Sequence, residues 1–248
     1  MRGLCGQRVT INGHTLTGIP SANFGDLWTP GGSIPQPPGG GQQLAFKSTS
    51  ANDTNAAGTG ARQIRLHYVN ALGVHTVELV NLNGLTLQNT VATNIFRILG
   101  TSIITVGSGG SPAGNILLRD VGDTTTFWQH DLGFNVSTVG AYTVPSTDRN
   151  GDTVSTLTVD EIRAQSNFTA GTTLTCHLLV EADPNNTLPL LTSGIFYPFY
   201  SWQMVAGTEF GRRGLALPPI PALATVKVTV KASNAAAALA CSFTGILN

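Results

Sequence analysis

The sequence predicts an all-β fold made of antiparallel β-sandwich or jelly-roll-like domains behind an extended N-terminal arm. Apolar and polar residues alternate with period two in several segments, which is typical of strands that bury one face. These segments are short, and turns rich in Gly, Pro, Asn and Asp separate them; the 248 residues include 29 Gly and 13 Pro. Short strands between such turns favour antiparallel sandwiches over βαβ units.

Residues 1–43 are predicted to be an extended arm rather than a domain. The run TPGGSIPQPPGGGQQ concentrates Pro and Gly, which interrupt both helices and strand pairing. Two interpretations stay open. The segment is either a mobile terminus, or an arm that becomes ordered on a neighbouring subunit with Trp28 as its aromatic anchor.

Two β domains are predicted after the arm, at residues 44–121 and 122–248. Beyond an initial hairpin, the clearest strand patterns lie at residues 95–106, 116–118, 172–180, 225–231 and 237–247. The stretch 95–106 suits one long strand or two short ones. Residues 158–166 suit a short helix, although their alternation also permits a strand.

A β-hairpin is predicted from strands at 62–69 and 74–80, joined by a four-residue loop. One register places the apolar residues of both strands on one face of the sheet. This register pairs Val69 with Val74, Leu66 with Val77, Ile64 with Leu79 and Arg65 with Glu78. It also places His67 and His75 on opposite faces, so we expect no shared metal ion there.

The three cysteines, Cys5, Cys176 and Cys241, show no metal-binding spacing. Cys176 and Cys241 each alternate with apolar residues, which places them on the buried faces of strands. We expect buried free thiols, since free cysteine behaves as a small apolar residue. A disulfide between Cys176 and Cys241 is the alternative.

The chain carries unusually little charge. Charged residues make up 10% of it and the formal net charge is +0, against about 25% charged residues in ordinary soluble proteins. Without a basic patch, neither nucleic acid nor an anionic membrane is expected as a partner. No apolar run reaches the roughly 18 residues of a transmembrane helix. Weak charge repulsion between copies favours self-association.

No motif predicts an enzyme, and we expect no catalytic residues, cofactor or metal. The five histidines form no HxH or HExxH spacing, and neither a GxSxG elbow nor a glycine-rich phosphate loop is present. Residues 148–152 (DRNGD) resemble part of a calcium loop but lack its terminal glutamate. Asn-Gly is also a strong turn signal, so a turn is the preferred interpretation over a metal site.

The densest aromatic segment runs from Ile195 to Trp202. Its rings are expected to divide between the core and a subunit interface, where large amphipathic rings contribute most. Alternatively, some form a platform for a sugar. Arg212 and Arg213 lie in a predicted exposed loop, where they either pair with carboxylates of a partner or are simply solvated. The candidate interaction residues are therefore Trp28, Tyr197, Phe199, Tyr200, Trp202, Arg212 and Arg213.

Part of the chain resembles a module found in virion surface proteins of tailed bacteriophages. The residues concerned are Ser50-Ala-Asn-Asp53, Ala57-Gly-Thr-Gly-Ala61, Leu82-Asn-Gly84 and Gly107-Ser-Gly-Gly110 followed by Ala113-Gly-Asn-Ile116. The resemblance implies a capsid decoration (cement) protein, made in the host bacterial cytoplasm and bound to the outside of the phage head. It further implies a homotrimer that contacts the lattice of the major capsid protein. The alternative is a glycan-binding module associated with a tail or head fibre.

Overall fold

The computed structural model describes residues 7–15, 19–38, 40–137, 139–167, 172–181, 195–205, 207–234 and 238–248. These residues form an all-β fold of antiparallel sheets and contain no helix. The strands in chain order are β1 (Gln7–Thr15), β2 (Gly25–Asp26), β3 (Leu44–Ser48), β4 (Ala61–Asn70), β5 (His75–Asn81), β6 (Gln88–Asn89), β7 (Ile95–Val106), β8 (Ile116–Asp120), β9 (Thr126–His130), β10 (Ala141–Thr143), β11 (Thr156–Asn167), β12 (Thr173–Glu181), β13 (Phe196–Val205), β14 (Glu209–Arg213), β15 (Ile220–Pro221), β16 (Thr225–Ala232) and β17 (Ala238–Leu247).

The chain folds into two compact units, one inserted into the other. Unit 1 comprises residues 1–33 and 140–248, and unit 2 comprises residues 34–139. These boundaries differ from the predicted ones at residues 43 and 121. One reason is that β9 lies beyond residue 121 yet pairs with β8, within the sheet of unit 2.

Unit 1 contains two antiparallel sheets. The first has the strand order β1-β17-β11-β14, and β15 also pairs with β11. The second has the order β10-β16-β12-β13, and β2 also pairs with β16. Alternate residues supply its core; in β12, Leu174, Cys176 and Leu178 are each 0% exposed. Residues 158–166 belong to strand β11, so the strand interpretation is confirmed and the helix is wrong.

The N-terminal segment is paired with the rest of unit 1. Strand β1 pairs with β17 along its full length, and Gly25 and Asp26 pair with β16. The Leu27 carbonyl accepts a hydrogen bond of 2.9 Å from the Gly140 N–H, so the segment that leads into unit 2 is bonded to the first residue after it. An arm over residues 1–43 is therefore wrong for these stretches, because they precede the Pro/Gly-rich run and their backbone groups bond within unit 1.

Cys176 and Cys241 are buried free thiols, which confirms the prediction. Burial raises the pKa of Cys176 to about 12. Burial also raises the pKa of Cys241, and the neighbouring Cys176 adds to this rise. No disulfide joins the two cysteines. Cys5 lies outside the described residues.

Unit 2 contains a four-stranded sheet of order β6-β3-β8-β9 and a three-stranded sheet of order β5-β4-β7. Its largest fully buried side chains include Phe46, Leu118 and Trp128 on the first sheet and Ile64 and Leu66 on the second. Residues 95–106 form one long strand, β7, rather than two short ones.

The hairpin between β4 and β5 forms in a register one residue away from the predicted one. Ile64 pairs with Val80, and His67 pairs with Val77. The Asn70 N–H donates to the Val74 carbonyl at 3.0 Å, which closes a three-residue loop rather than a loop of four. Gly73 has a φ of 82°, the left-handed conformation found in three-residue hairpin loops.

This register separates the apolar residues that were predicted to share a face. Ile64 and Leu66 are 0% exposed, whereas Val77 and Leu79 lie on the opposite face at 41% and 50% exposure. The predicted register is therefore wrong. Loop geometry at Gly73 decides the pairing, and β5 lies at a sheet edge where only one face of the neighbouring β4 is covered.

Three of the four motifs behind the phage resemblance meet around one buried carboxylate. Asp53 is 0% exposed and accepts hydrogen bonds from Ser48 Oγ at 2.6 Å and from the N–H groups of Ala61, Ala113 and Gly114 at 2.7, 2.9 and 2.9 Å. A Cβ atom on Gly60 would lie 2.1 Å from Asp53 Oδ1, so only glycine fits there. These motifs hold two loops of unit 2 together.

Candidate interaction surface

Most of the predicted interaction residues lie on two consecutive edge strands of unit 1. Strand β13 ends one sheet and β14 ends the other, and no strand among the described residues pairs with the outer side of either. The short turn between them is closed by Thr208, whose hydroxyl donates to the Val205 carbonyl at 2.6 Å. We call residues 196–205 and 209–213 the edge-strand surface.

Trp202 lies at the inner side of the edge-strand surface. It pairs with Cys176 and is 5% exposed. Its ring stacks on Tyr200 at a centroid distance of 6.0 Å and on Phe210 at 5.5 Å, so three rings link β13 to β14. Trp202 is therefore a core residue that supports both edge strands.

Tyr197 and Phe199 are more accessible. The Tyr197 side chain is 44% exposed, and Phe199 is half-buried at a bulge where the pairing of β12 with β13 shifts. Large aromatic rings at an exposed edge suit a protein interface, because they bury much area at little entropic cost. The aromatic segment thus divides between core and surface along β13.

Trp28 is buried against its own segment of the chain. It is 4% exposed, and its Nε1–H donates to the Gly31 carbonyl at 2.8 Å. Nearby, Lys227 Nζ lies 2.9 Å from the Asp26 carboxylate and 4.0 Å from the centre of the Phe196 ring. The ion pair is largely buried and holds this part of the N-terminal segment on the sheet.

Arg213 forms an ion pair within unit 1. Arg212 lies opposite Ile162 on β14 and is exposed. Glu161 Oε1 accepts from Arg213 Nε at 2.7 Å and from Arg163 Nε at 2.6 Å. Both bonds lower the pKa of Glu161, and the bond to Arg213 has the larger effect. Arg212 and Tyr197 are consequently the most available predicted residues of the edge-strand surface.

Residues 148–152 form the predicted turn. The Asp148 carboxylate accepts from the N–H groups of Asn150 at 2.8 Å and Asp152 at 2.9 Å, and Gly151 has a φ of 87°. The turn interpretation is confirmed. Among the described residues, no group of three or more His, Cys, Asp or Glu side chains is placed to hold a metal ion.

The prediction that His67 and His75 lie on opposite faces of the hairpin is wrong. His67 Nδ1 and His75 Nε2 are 3.3 Å apart, because the observed hairpin register places them on one face. The signal that identifies this pair is Gly73, since a left-handed glycine indicates a three-residue loop.

None of the described residues form a helix that is long and apolar enough to cross a membrane. No protein-family model matches the chain, and no curated protein matches it. Among solved structures, the chain is similar to one in "Structure of infectious bursal disease virus Gt strain", with 10% identity and a TM-score of 0.27. The likeness covers 98% of this chain and 72% of that chain. At so low a TM-score it supports no inference about fold or function.

Proposed function

We propose that the chain is a structural protein of a virus particle, specifically a capsid decoration protein on the head of a tailed bacteriophage. The observation that carries this proposal is the strand order of unit 1, from which we infer a jelly roll. Low charge and an exposed aromatic edge support the same conclusion.

The jelly roll follows from the way the eight main strands of unit 1 pair. The first pairs with the last, the second with the seventh, the third with the sixth and the fourth with the fifth. These pairs are β1·β17, β10·β16, β11·β14 and β12·β13. The further pairs β17·β11 and β16·β12 join them into two four-stranded sheets. From this pairing we infer a rolled hairpin of the jelly-roll kind, an architecture found in viral capsid and lectin domains.

Adhesion to a lattice suits the surface of this unit. Among the described residues, strands β13 and β14 leave backbone N–H and C=O groups at two sheet edges, and edges of this kind pair readily with another chain. A closed homotrimer would cover them through identical contacts. Each copy would contact the lattice of the major capsid protein at several points. Together these weak contacts would give strong binding at the virion surface.

The glycan-binding alternative has less support from the aromatic residues. Trp28 and Trp202 are buried, so neither offers a ring face to a sugar. The favoured second candidate is a subunit that forms the shell itself, because the jelly roll that we infer for unit 1 is an architecture of viral capsid domains.

Assembly of the purified protein distinguishes the two candidates. A decoration protein is expected to remain a small oligomer alone and to bind phage heads that lack it, with hundreds of ordered copies seen by electron cryo-microscopy. Closed shells formed by the protein alone would establish the second candidate. Failure in both assays would exclude both.

Variants of the edge-strand surface locate the contact. Tyr197→Asp and Arg212→Glu should weaken binding to heads, because each places a negative charge at the edge of a sheet. Asn12→Asp on the exposed side of β1 is the matched control. Equal loss of binding in the control would contradict the assignment of the contact to this edge.

A further inference from the structure

The histidine pair of unit 2 lies on an accessible face of the hairpin. His67 on β4 and His75 on β5 are both partly exposed, and their ring centres are 5.5 Å apart with 53° between the ring planes. Val77 and Leu79 share this face and are exposed too. Both rings are therefore within reach of a solute.

The separation of the two nitrogens matches the bite of a tetrahedral zinc ion. Zinc-to-imidazole bonds are about 2.0–2.1 Å long. Two bonds of about 2.05 Å that span the 3.3 Å between His67 Nδ1 and His75 Nε2 enclose an angle of about 107°. The tetrahedral value is about 109°.

We propose that His67 and His75 form a surface chelate for Zn²⁺. Neutral imidazole is a preferred ligand of this ion. His67 would bind through Nδ1 with its proton on Nε2, and His75 would bind through Nε2 with its proton on Nδ1. One of the two rings must change tautomer, since at present one nitrogen of the pair donates to the other.

Water completes the coordination, because no third protein ligand is grouped with the pair among the described residues. The ion would tie β4 to β5 close to the hairpin loop and stiffen the edge of this sheet. This site is independent of the edge-strand surface, which belongs to unit 1. It is also independent of the proposed place on a virion, because the pair is intramolecular.

Isothermal titration of the full chain, without a polyhistidine tag, with ZnCl₂ tests the site. We expect one Zn²⁺ per chain. His67→Gln and His75→Gln should each weaken binding on the order of 100-fold, because a chelate loses its intramolecular second ligand. His177→Gln in unit 1 is the matched control and should bind as the wild type does.

Nitrogen-15 spectra of labelled histidine identify the ligating atoms. Zn²⁺ should shift Nδ1 of His67 and Nε2 of His75 and slow amide exchange in residues 70–74. Amide spectra of the variants that match the wild type away from the hairpin will show that the fold is retained. The proposal is overturned by absence of binding, by wild-type affinity in either His67→Gln or His75→Gln, or by shifts at other histidine nitrogens, which would mark an adventitious ion only.

Discussion

Replacement of Asp53 tests whether the loops of unit 2 depend on one buried carboxylate. Its Oδ1 accepts from the N–H groups of Ala61 and Ala113, and its Oδ2 accepts from Ser48 Oγ and the Gly114 N–H. The side chain is 0% exposed, so water does not replace a lost acceptor without rearrangement.

The two informative variants leave different numbers of donors without a partner. In Asp53→Asn the amide group displaces one oxygen. The Ser48 hydroxyl can turn to accept from it, but the Gly114 N–H then faces another donor. One buried unpaired donor costs about 1–3 kcal/mol, and the remaining bonds lose their charge assistance, so we expect a loss of about 2–4 kcal/mol. Asp53→Ala leaves three backbone N–H donors without an acceptor and should cost about 4 kcal/mol or more.

Hydrogen exchange along a urea series measures the loss in each unit separately. A loss of about 3 kcal/mol lowers a urea midpoint by roughly 1–3 M, and the shift should appear in strands of unit 2 such as β3 and β8. Strands β16 and β17 of unit 1 should keep their midpoint. Asp120→Asn is the control, because this partly exposed turn carboxylate also accepts from backbone N–H groups. Equal shifts for Asp53→Ala and Asp120→Asn would refute the reasoning.

Three further outcomes are expected. His130 is 0% exposed and binds the Phe134 carbonyl at 2.8 Å, and burial lowers its pKa from 6.5. The unfolded chain therefore takes up the proton first as pH falls below about 6.5. The urea midpoint of unit 2 should drop between about pH 7.5 and pH 5, and His130→Gln should flatten this dependence. Cys176 and Cys241 should resist a thiol reagent at pH 8 in the folded protein and react once it is denatured, as peptide mass spectrometry would show. Replacement of residues 34–139 by a short Gly/Ser linker should leave unit 1 folded by circular dichroism, because Leu27 and Gly140, on the two sides of the replaced segment, are already hydrogen-bonded.

The position of most strands could be predicted from local pattern, whereas their partners could not. Period-two alternation reports which side chains of a strand are buried, and it located β7, β12, β16 and β17 within a few residues. It says nothing of what covers the buried face. Strand β1 pairs with β17 at the far end of the chain, and composition at residues 29–43 obscured the pairing of the residues before it.

The accessibility of the aromatic residues also depends on tertiary context. Trp202 and Tyr197 lie five residues apart on one strand, yet one is 5% and the other 44% exposed. A bulge around Phe199 shifts the register between them, and period two alone does not indicate where a bulge occurs. Trp28 looked like an anchor in a Pro/Gly-rich segment, but its indole bonds to the segment's own turn.

The β4–β5 hairpin shows how a loop can overrule the apolar pattern. The predicted register would have sheltered Val77 and Leu79, each worth about 1.5–3 kcal/mol if fully buried. Edge strand β5 cannot realise that gain, because the face on which they lie is open. The observed register instead buries Val80 at 4% exposure.

Two hydrogen-bonded features stabilise the observed register. Asn70 Oδ1 accepts from the N–H groups of Leu72 and Val74 at 2.9 and 3.0 Å across the three-residue loop. Glu78 accepts from the N–H groups of Val91 and Ala92 at 2.6 and 3.1 Å. A one-residue slip would break all four bonds. The same one-residue difference moves His75 onto the face of His67, so the loop that sets the pairing also creates the histidine pair.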